Sequence, residues 1–232
     1  MNIEKNAPRL LGAAFLLVVV TSLVGGLFSN AAGTGSISEI LVNISNNLTL
    51  TRISIIGGLA NSTGIVILAV LLNIVLRKQS KTVALVALGL WLAEAIFYAI
   101  MQLGPIALIP LSQEFVKAGS PAASFYQTLG DFLYTSLYSQ GLMIHMWFYC
   151  VGGILWYSMF LKSRYVPRII SLFGVLAVLV GIVGIVLELF GFVVPMLVFI
   201  PIGLFEITIG LWLLLRGIKD GSEKQKGQET ES

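Results

Sequence analysis

IISLFGVLAVLVGIVGIVLELFGFVVPMLVFIPIGLFEITIGLWLLL, residues Ile169 to Leu215, runs between Arg168 and Arg216 and carries only two charges, Glu188 and Glu206. As one helix, at about 1.5 Å per residue, it would reach roughly 70 Å, more than twice a ~30 Å hydrocarbon core. The stretch must therefore fold back on itself. Gly191 with Pro195 marks the turn, because glycine reverses a chain at low steric cost and proline cannot continue a helix from within. A hairpin of two membrane-crossing helices follows, with an arginine at each outer end.

The same pattern of long apolar runs between basic residues holds along the chain. Six spans are expected: Leu10–Phe28, Ile53–Leu76, Thr82–Gly104, Leu142–Leu161, Ile169–Gly191 and Val194–Leu215. Lysines and arginines gather at Lys5/Arg9, Arg77/Lys78/Lys81, Lys162/Arg164/Arg168 and the tail from Arg216/Lys219, leaving only Arg52 and Lys117 elsewhere. Basic residues stay on the cytoplasmic side, so six spans put both termini and both basic loops there. Composition agrees. Of the 232 residues, 57% are hydrophobic and 11% charged, whereas a soluble domain carries about 25% charged residues. The excess of three positive charges sits at span ends rather than on one face. That arrangement suits a lipid bilayer with anionic headgroups and excludes nucleic acid as a partner. Cys150, the lone cysteine, has no partner for an intrachain disulfide and reads as a buried packing residue.

The fold class is accordingly all-α, a polytopic membrane helix bundle of six transmembrane helices with short amphipathic helices on the outer side. Residues 1–219 form one six-helix domain in a cell membrane, and 220–232, nearly free of apolar residues, form a disordered cytoplasmic tail. The run from Leu10 to Phe28 exceeds the roughly 7–15 residues of a signal-peptide core, so the first span is retained. Ser36 and Glu39 have capping-box spacing ahead of Ile40, Leu41 and Ile44, which predicts an amphipathic helix lying in the outer interface. Ser120-Pro121 predicts a second helix start. The polar-apolar run from Phe125 to Tyr138 then lies on the surface or extends the fourth span, with a break near Ser139-Gln140-Gly141.

Ionisable side chains inside a bilayer are costly and mark sites by default. Four qualify: Glu94, Glu206, Glu188 and the single histidine, His145. Helical rise puts Glu94 about 18 Å and Glu206 about 15 Å from the cytoplasmic end of their spans, near the midplane. His145 lies about 25 Å and Glu188 about 28 Å in, toward the outer boundary. If they share a face they line a cavity open to the outside. Glu94 and Glu206 could share a proton there, or each could hydrogen-bond a neighbouring helix. The bis-histidine haem, Cys/His zinc site, retinal Schiff base, phosphate loop and serine nucleophile all lack their residues, so no cofactor, metal site or catalytic residue is expected. Gly174, Gly181 and Gly184, and the pair Ala60/Gly64, are better suited to close helix packing. Asn61-Ser62-Thr63 offers hydrogen bonds across helices.

Two stretches carry a resemblance. Tyr157-Ser-Met-Phe160-Leu-Lys-Ser163-Arg-Tyr-Val-Pro167-Arg168, before an apolar helix, resembles the inner loop of the multi-pass proteins grouped as domain of unknown function 4386. Pro201-Ile-Gly-Leu-Phe-Glu206, with Trp212-Leu-Leu and Arg216-Gly217, is similar to that family's last span, and Arg52 fits its pattern. Glu94 matches the acid of the family's Arg-x-x-Glu segment, while Trp91 stands where arginine is expected. The resemblance implies a prokaryotic integral membrane protein and points to no particular activity or substrate. Three functions stay open: binding or transport of a small solute, ion or proton; a non-catalytic component that binds a partner protein or lipid; and an intramembrane enzyme, for which nothing but the carboxylates speaks.

Overall fold

The computed structural model describes residues 3–218, with side chains from Ala7 onward. The predicted tail, 220–232, lies outside the described residues. Among the described residues every regular element is helical. Helices α1 (Ile3–Ala32), α2 (Ile37–Asn46), α3 (Leu48–Leu76), α4 (Lys81–Met101) and α5 (Leu103–Lys117) come first. Then come α6 (Phe125–Asp131), a π-helical segment (Phe132–Ser139), α7 (Gln140–Ser163), α8 (Arg168–Leu189), a 3-10 turn (Met196–Phe199) and α9 (Ile200–Arg216). Six helical stretches are long and apolar enough to cross a membrane: Ala7–Ala32, Leu48–Leu76, Lys81–Lys117, Phe125–Ser163, Arg168–Leu189 and Met196–Arg216. Leucines and isoleucines along them face outward, such as Leu23 at 69% and Ile169 at 77% exposure. In water so broad an apolar exterior would aggregate. In hydrocarbon it costs nothing.

Contacts divide the chain into two compact units. One takes Met1–Leu16, Val70–Leu88 and Val151–Ser232, so far as these are described; the other takes Leu17–Ala69 and Gly89–Cys150. Arg9, Arg77, Lys78, Lys81, Lys162, Arg164, Arg168 and Arg216 all belong to the first. Arg52 and Lys117 alone among the described basic residues fall in the second.

The α8–α9 hairpin lies in the first unit. Gly191 adopts φ +84°, a conformation that costs a residue with a Cβ about 1 kcal/mol or more. Pro195 then opens the 3-10 turn leading into α9. The buried face of α8 is Ser171, Gly174, Ala177, Val178, Gly181, Gly184 and Ile185. Its glycines admit partners closely: the Phe205 ring of α9 lies against Gly174, and Val198 against Gly184. Phe205 also packs on Tyr157 of α7, ring centroids 4.3 Å apart.

In the second unit, the capping box of α2 forms as its spacing predicts. The Ser36 N–H donates to Glu39 Oε2 at 2.9 Å, and the Glu39 N–H reaches back to Ser36 Oγ at 3.4 Å. Replacing Ser36 by alanine is expected to cost about 0.5–1 kcal/mol, read as faster amide exchange in the first turn of α2. The helix does not present its apolar face to headgroups, however. Ile40, Leu41 and Ile44 are 5%, 0% and 0% exposed, packed in a core with Phe28, Leu108, Phe115 and Tyr138. Protein covers this face because α5 is present, a helix the sequence reading lacked.

Two further boundaries differ from expectation. The helix expected at Ser120-Pro121 begins at Phe125, capped by Ser124 with Gln127. Ser120 itself has φ +53°, far from the extended geometry an N-cap needs. Residues 125–139 extend the fourth span, and a π-helical stretch replaces the break expected near Ser139.

Candidate functional site

Trp91, Glu94 and Tyr98 occupy positions i, i+3 and i+7 of α4, so helical geometry places them on one face. All three are buried, at 1%, 3% and 6% exposure. Each end of this face is met by α7, whose His145, Phe148 and Tyr149 share a face in turn. The Trp91 Nε1–H donates to the Tyr149 carbonyl at 3.1 Å, and the two rings stack 5.4 Å apart at 13°. Phe97 stacks on Phe148 at 5.2 Å. The Tyr98 ring stands edge-on to the His145 imidazole, centroids 4.7 Å apart at 87°.

The other side of α4 is met by α3. Ser62 Oγ donates to the Ala95 carbonyl at 2.7 Å. Asn61, 3% exposed, hydrogen-bonds the Tyr98 hydroxyl and accepts from Thr21 Oγ1 of α1 at 2.9 Å. Gly25 leaves room for that hydroxyl, since a Cβ there would sit 3.0 Å from it. Glu94 lies near enough to Tyr98 to act on it electrostatically. A polar chain thus runs Thr21–Asn61–Tyr98 beside Glu94 and His145, drawn from four helices inside one compact unit.

His145 stands out within it. It is 6% exposed, and neither ring nitrogen has a hydrogen-bond partner among the described residues. A neutral imidazole carries one donor and one acceptor, and leaving a buried one unmet costs about 1–3 kcal/mol. Such a group calls for an explanation beyond packing. Among the described residues no three His, Cys, Asp or Glu side chains gather closely enough to hold a metal ion.

The four residues singled out from the sequence fall into both units. Glu94 and His145 belong to the second and share the cluster just described. Glu206, buried on α9 at 9% exposure, and Glu188, exposed at the end of α8, belong to the first. Sequence reasoning missed Tyr98, whose one signal was its position a helical turn after Glu94. It also missed Thr21, whose hydroxyl carries no sequence signal at all.

Helices of membrane-crossing length, an apolar exterior and ionisable groups kept inside define a multi-pass helical membrane protein. The chain belongs to the family described as Domain of unknown function (DUF4386), whose profile matches residues 10–217. No curated protein and no solved structure matches it.

Proposed function

We propose that the protein binds and exchanges a proton or a small solute inside the membrane, at the cluster of Glu94, Tyr98, His145 and Asn61. The observation carrying this reading is the His145 imidazole, buried with both nitrogens unmet, beside the same tyrosine as an intramembrane carboxylate. A carboxylate and an imidazole beside one tyrosine bring three groups that can each take and give a proton into one cluster. Transporter sites are commonly built from such side chains near the midplane. In this reading the site opens to the outer face of the cell membrane. Both termini are cytoplasmic in this reading, which the basic clusters support under the positive-inside rule.

Proton flux into liposomes, followed with an enclosed pH dye under an imposed potential, tests the reading. The native chain is expected to raise flux above protein-free vesicles. Glu94→Gln and His145→Ala are expected each to lower it at least tenfold, while eluting as intact, monodisperse protein. Glu206→Gln reports whether the second buried carboxylate takes part. Native flux equal to that of empty vesicles, or flux indifferent to both Glu94→Gln and His145→Ala, overturns the proposal.

A further inference from the structure

Between the end of α3 and the start of α4, both in the first unit, lies an open cleft of about 570 Å³ lined by Asn73, Arg77, Lys78, Lys81 and Leu85. We propose that this cleft is a specific seat for one anionic phospholipid whose headgroup carries a free hydroxyl. Three different features meet there.

The first is charge. Three cations fall within five residues of chain, and no acidic residue occurs between Glu39 and Glu94. Lys78 and Lys81 are exposed, and neither makes an ion pair among the described residues. Exposed ammonium groups at a span end can meet an outside anion, and a phosphate is the anion that a bilayer supplies there. The N-terminal turn of α4 adds backbone N–H groups that favour the same charge.

The second is an unmet acceptor. Asn73 Oδ1 is buried with no hydrogen-bond partner among the described residues. It sits one helical turn before Arg77, whose backbone N–H, just past the end of α3, donates to the Asn73 backbone carbonyl at 2.9 Å. A bare phosphate oxygen offers it nothing, because both atoms accept. Asn73 lines the cleft, and a turn of its carboxamide brings that oxygen within reach of a headgroup hydroxyl, which can donate to it, so the cleft distinguishes a glycerol-type headgroup from a hydroxyl-free one.

The third is apolar. Leu85 lies four residues after Lys81, on the same face of α4, and is 60% exposed. Lys81 can direct its ammonium toward the headgroup while Leu85 lies against an acyl chain. A soluble phosphate would leave that leucine unused. The volume falls within the roughly 300–1,000 Å³ usual for small-molecule sites.

The shared chemistry is a phosphate ester, and the test separates its sources. The full-length chain in detergent is mixed with phosphatidylglycerol, phosphatidylmethanol (an anionic phosphodiester without a headgroup hydroxyl) or phosphatidylcholine, and retained lipid is counted by native mass spectrometry. Inorganic phosphate is added in a parallel arm. The native chain is expected to keep phosphatidylglycerol in preference to both other lipids, undisturbed by millimolar phosphate. Each lysine removed is expected to weaken retention about fivefold, so Lys78→Gln with Lys81→Gln together give about 25-fold. Asn73→Ala is expected to remove the preference for phosphatidylglycerol over phosphatidylmethanol while keeping that over phosphatidylcholine. Lys162→Gln, in the other basic loop, is expected to leave retention unchanged and controls for general charge. Equal retention of all three lipids, or no loss in the double variant, overturns the proposal. Displacement of lipid by inorganic phosphate overturns it too, by assigning the cleft to a free anion.

Discussion

Gly12→Ala is expected to destabilise the protein by about 1–3 kcal/mol, although it adds a single methyl group in the interior of a helix. α1 and α9 touch backbone to backbone here. A Cβ on residue 12 would press on the Leu214 amide nitrogen, and would come within 2.7 Å of the Gly210 carbonyl oxygen and 2.9 Å of the Leu213 carbonyl carbon. None of these atoms can swing aside, so the helices must part, and overpacking of this kind costs about 1–3 kcal/mol or more. Better helix propensity of alanine returns up to about 1 kcal/mol, so the net cost of about 1–3 kcal/mol corresponds to a gross cost of about 2–4 kcal/mol, toward the upper end because only backbone atoms are met. Two neighbouring substitutions calibrate the measurement. At Gly210 the added methyl would meet the flexible Leu16 side chain at 2.9 Å, so Gly210→Ala is expected to cost less. At Gly203 nothing lies within 4 Å, so Gly203→Ala is expected to be neutral or mildly stabilising. Thermal unfolding in detergent, followed by tryptophan fluorescence, should rank them in that order. A Gly12→Ala variant as stable as Gly203→Ala would show that α1 and α9 do not approach as described.

That contact belongs to a kind of information the sequence barely carries. Span positions were legible because hydrocarbon imposes a minimum length, and the Gly191–Pro195 turn because no bilayer accommodates the whole of Ile169–Leu215 in one helix. The capping box of α2 was legible for local reasons, as two side chains three residues apart serve each other's backbone. α5 was not, because Gly104, Pro105 and Pro110 read as breakers. The structure shows how they are accommodated. Pro105 lacks the N–H that would have joined it to Met101, so the helix is interrupted at Gln102 and begins again at Leu103. Pro105 then lies in the first turn, where a missing N–H is tolerated. The start at Ser124 did carry a signal, since Gln127 three residues on completes a capping box. Ser120-Pro121 offered a competing signal of similar strength.

The site was legible by halves. Glu94 and His145 drew notice because ionisable groups are rare in apolar spans. Their connection through Tyr98 was not visible, since a tyrosine among phenylalanines and tryptophans carries no distinguishing pattern. Estimated depth grouped Glu94 with Glu206, but depth follows one coordinate only. It does not say which residues a side chain packs among; Glu94 belongs to one compact unit and Glu206 to the other. Small residues show the same limit. Gly25, Gly57 and Gly58 look like any membrane-helix glycines, yet a Cβ on Gly57 would lie 2.9 Å from the Gly25 amide nitrogen, and one on Gly58 2.5 Å from the Gln102 carboxamide.

Trp91 is where the family resemblance and the packing meet, and the strongest second test lies there. The resemblance places arginine at this position, three residues before the acid; this chain has an indole, 1% exposed, hydrogen-bonded and stacked on Tyr149. Trp91→Ala is expected to cost about 3–5 kcal/mol, the range for emptying a large aromatic site in a core that cannot collapse fully. Trp91→Arg is more informative. It removes the same ring and places a cation one turn from Glu94, where an i, i+3 pair can form. Unpaired, that buried charge would cost more than the cavity; paired, it recovers part of the loss. Unfolding free energies should therefore be measured for Trp91→Arg with Glu94 intact and again with Glu94→Gln, beside Glu94→Gln alone. The arginine is expected to be better tolerated with the carboxylate present, by a coupling of at least ~1.5 kcal/mol, as for residues in direct contact. Additive costs, within about 0.5 kcal/mol, would mean that the guanidinium leaves the α4–α7 seam for the interface and that Glu94 does not share the buried face of Trp91. The cluster beside His145 would then lose the carboxylate on which the proposed proton exchange depends.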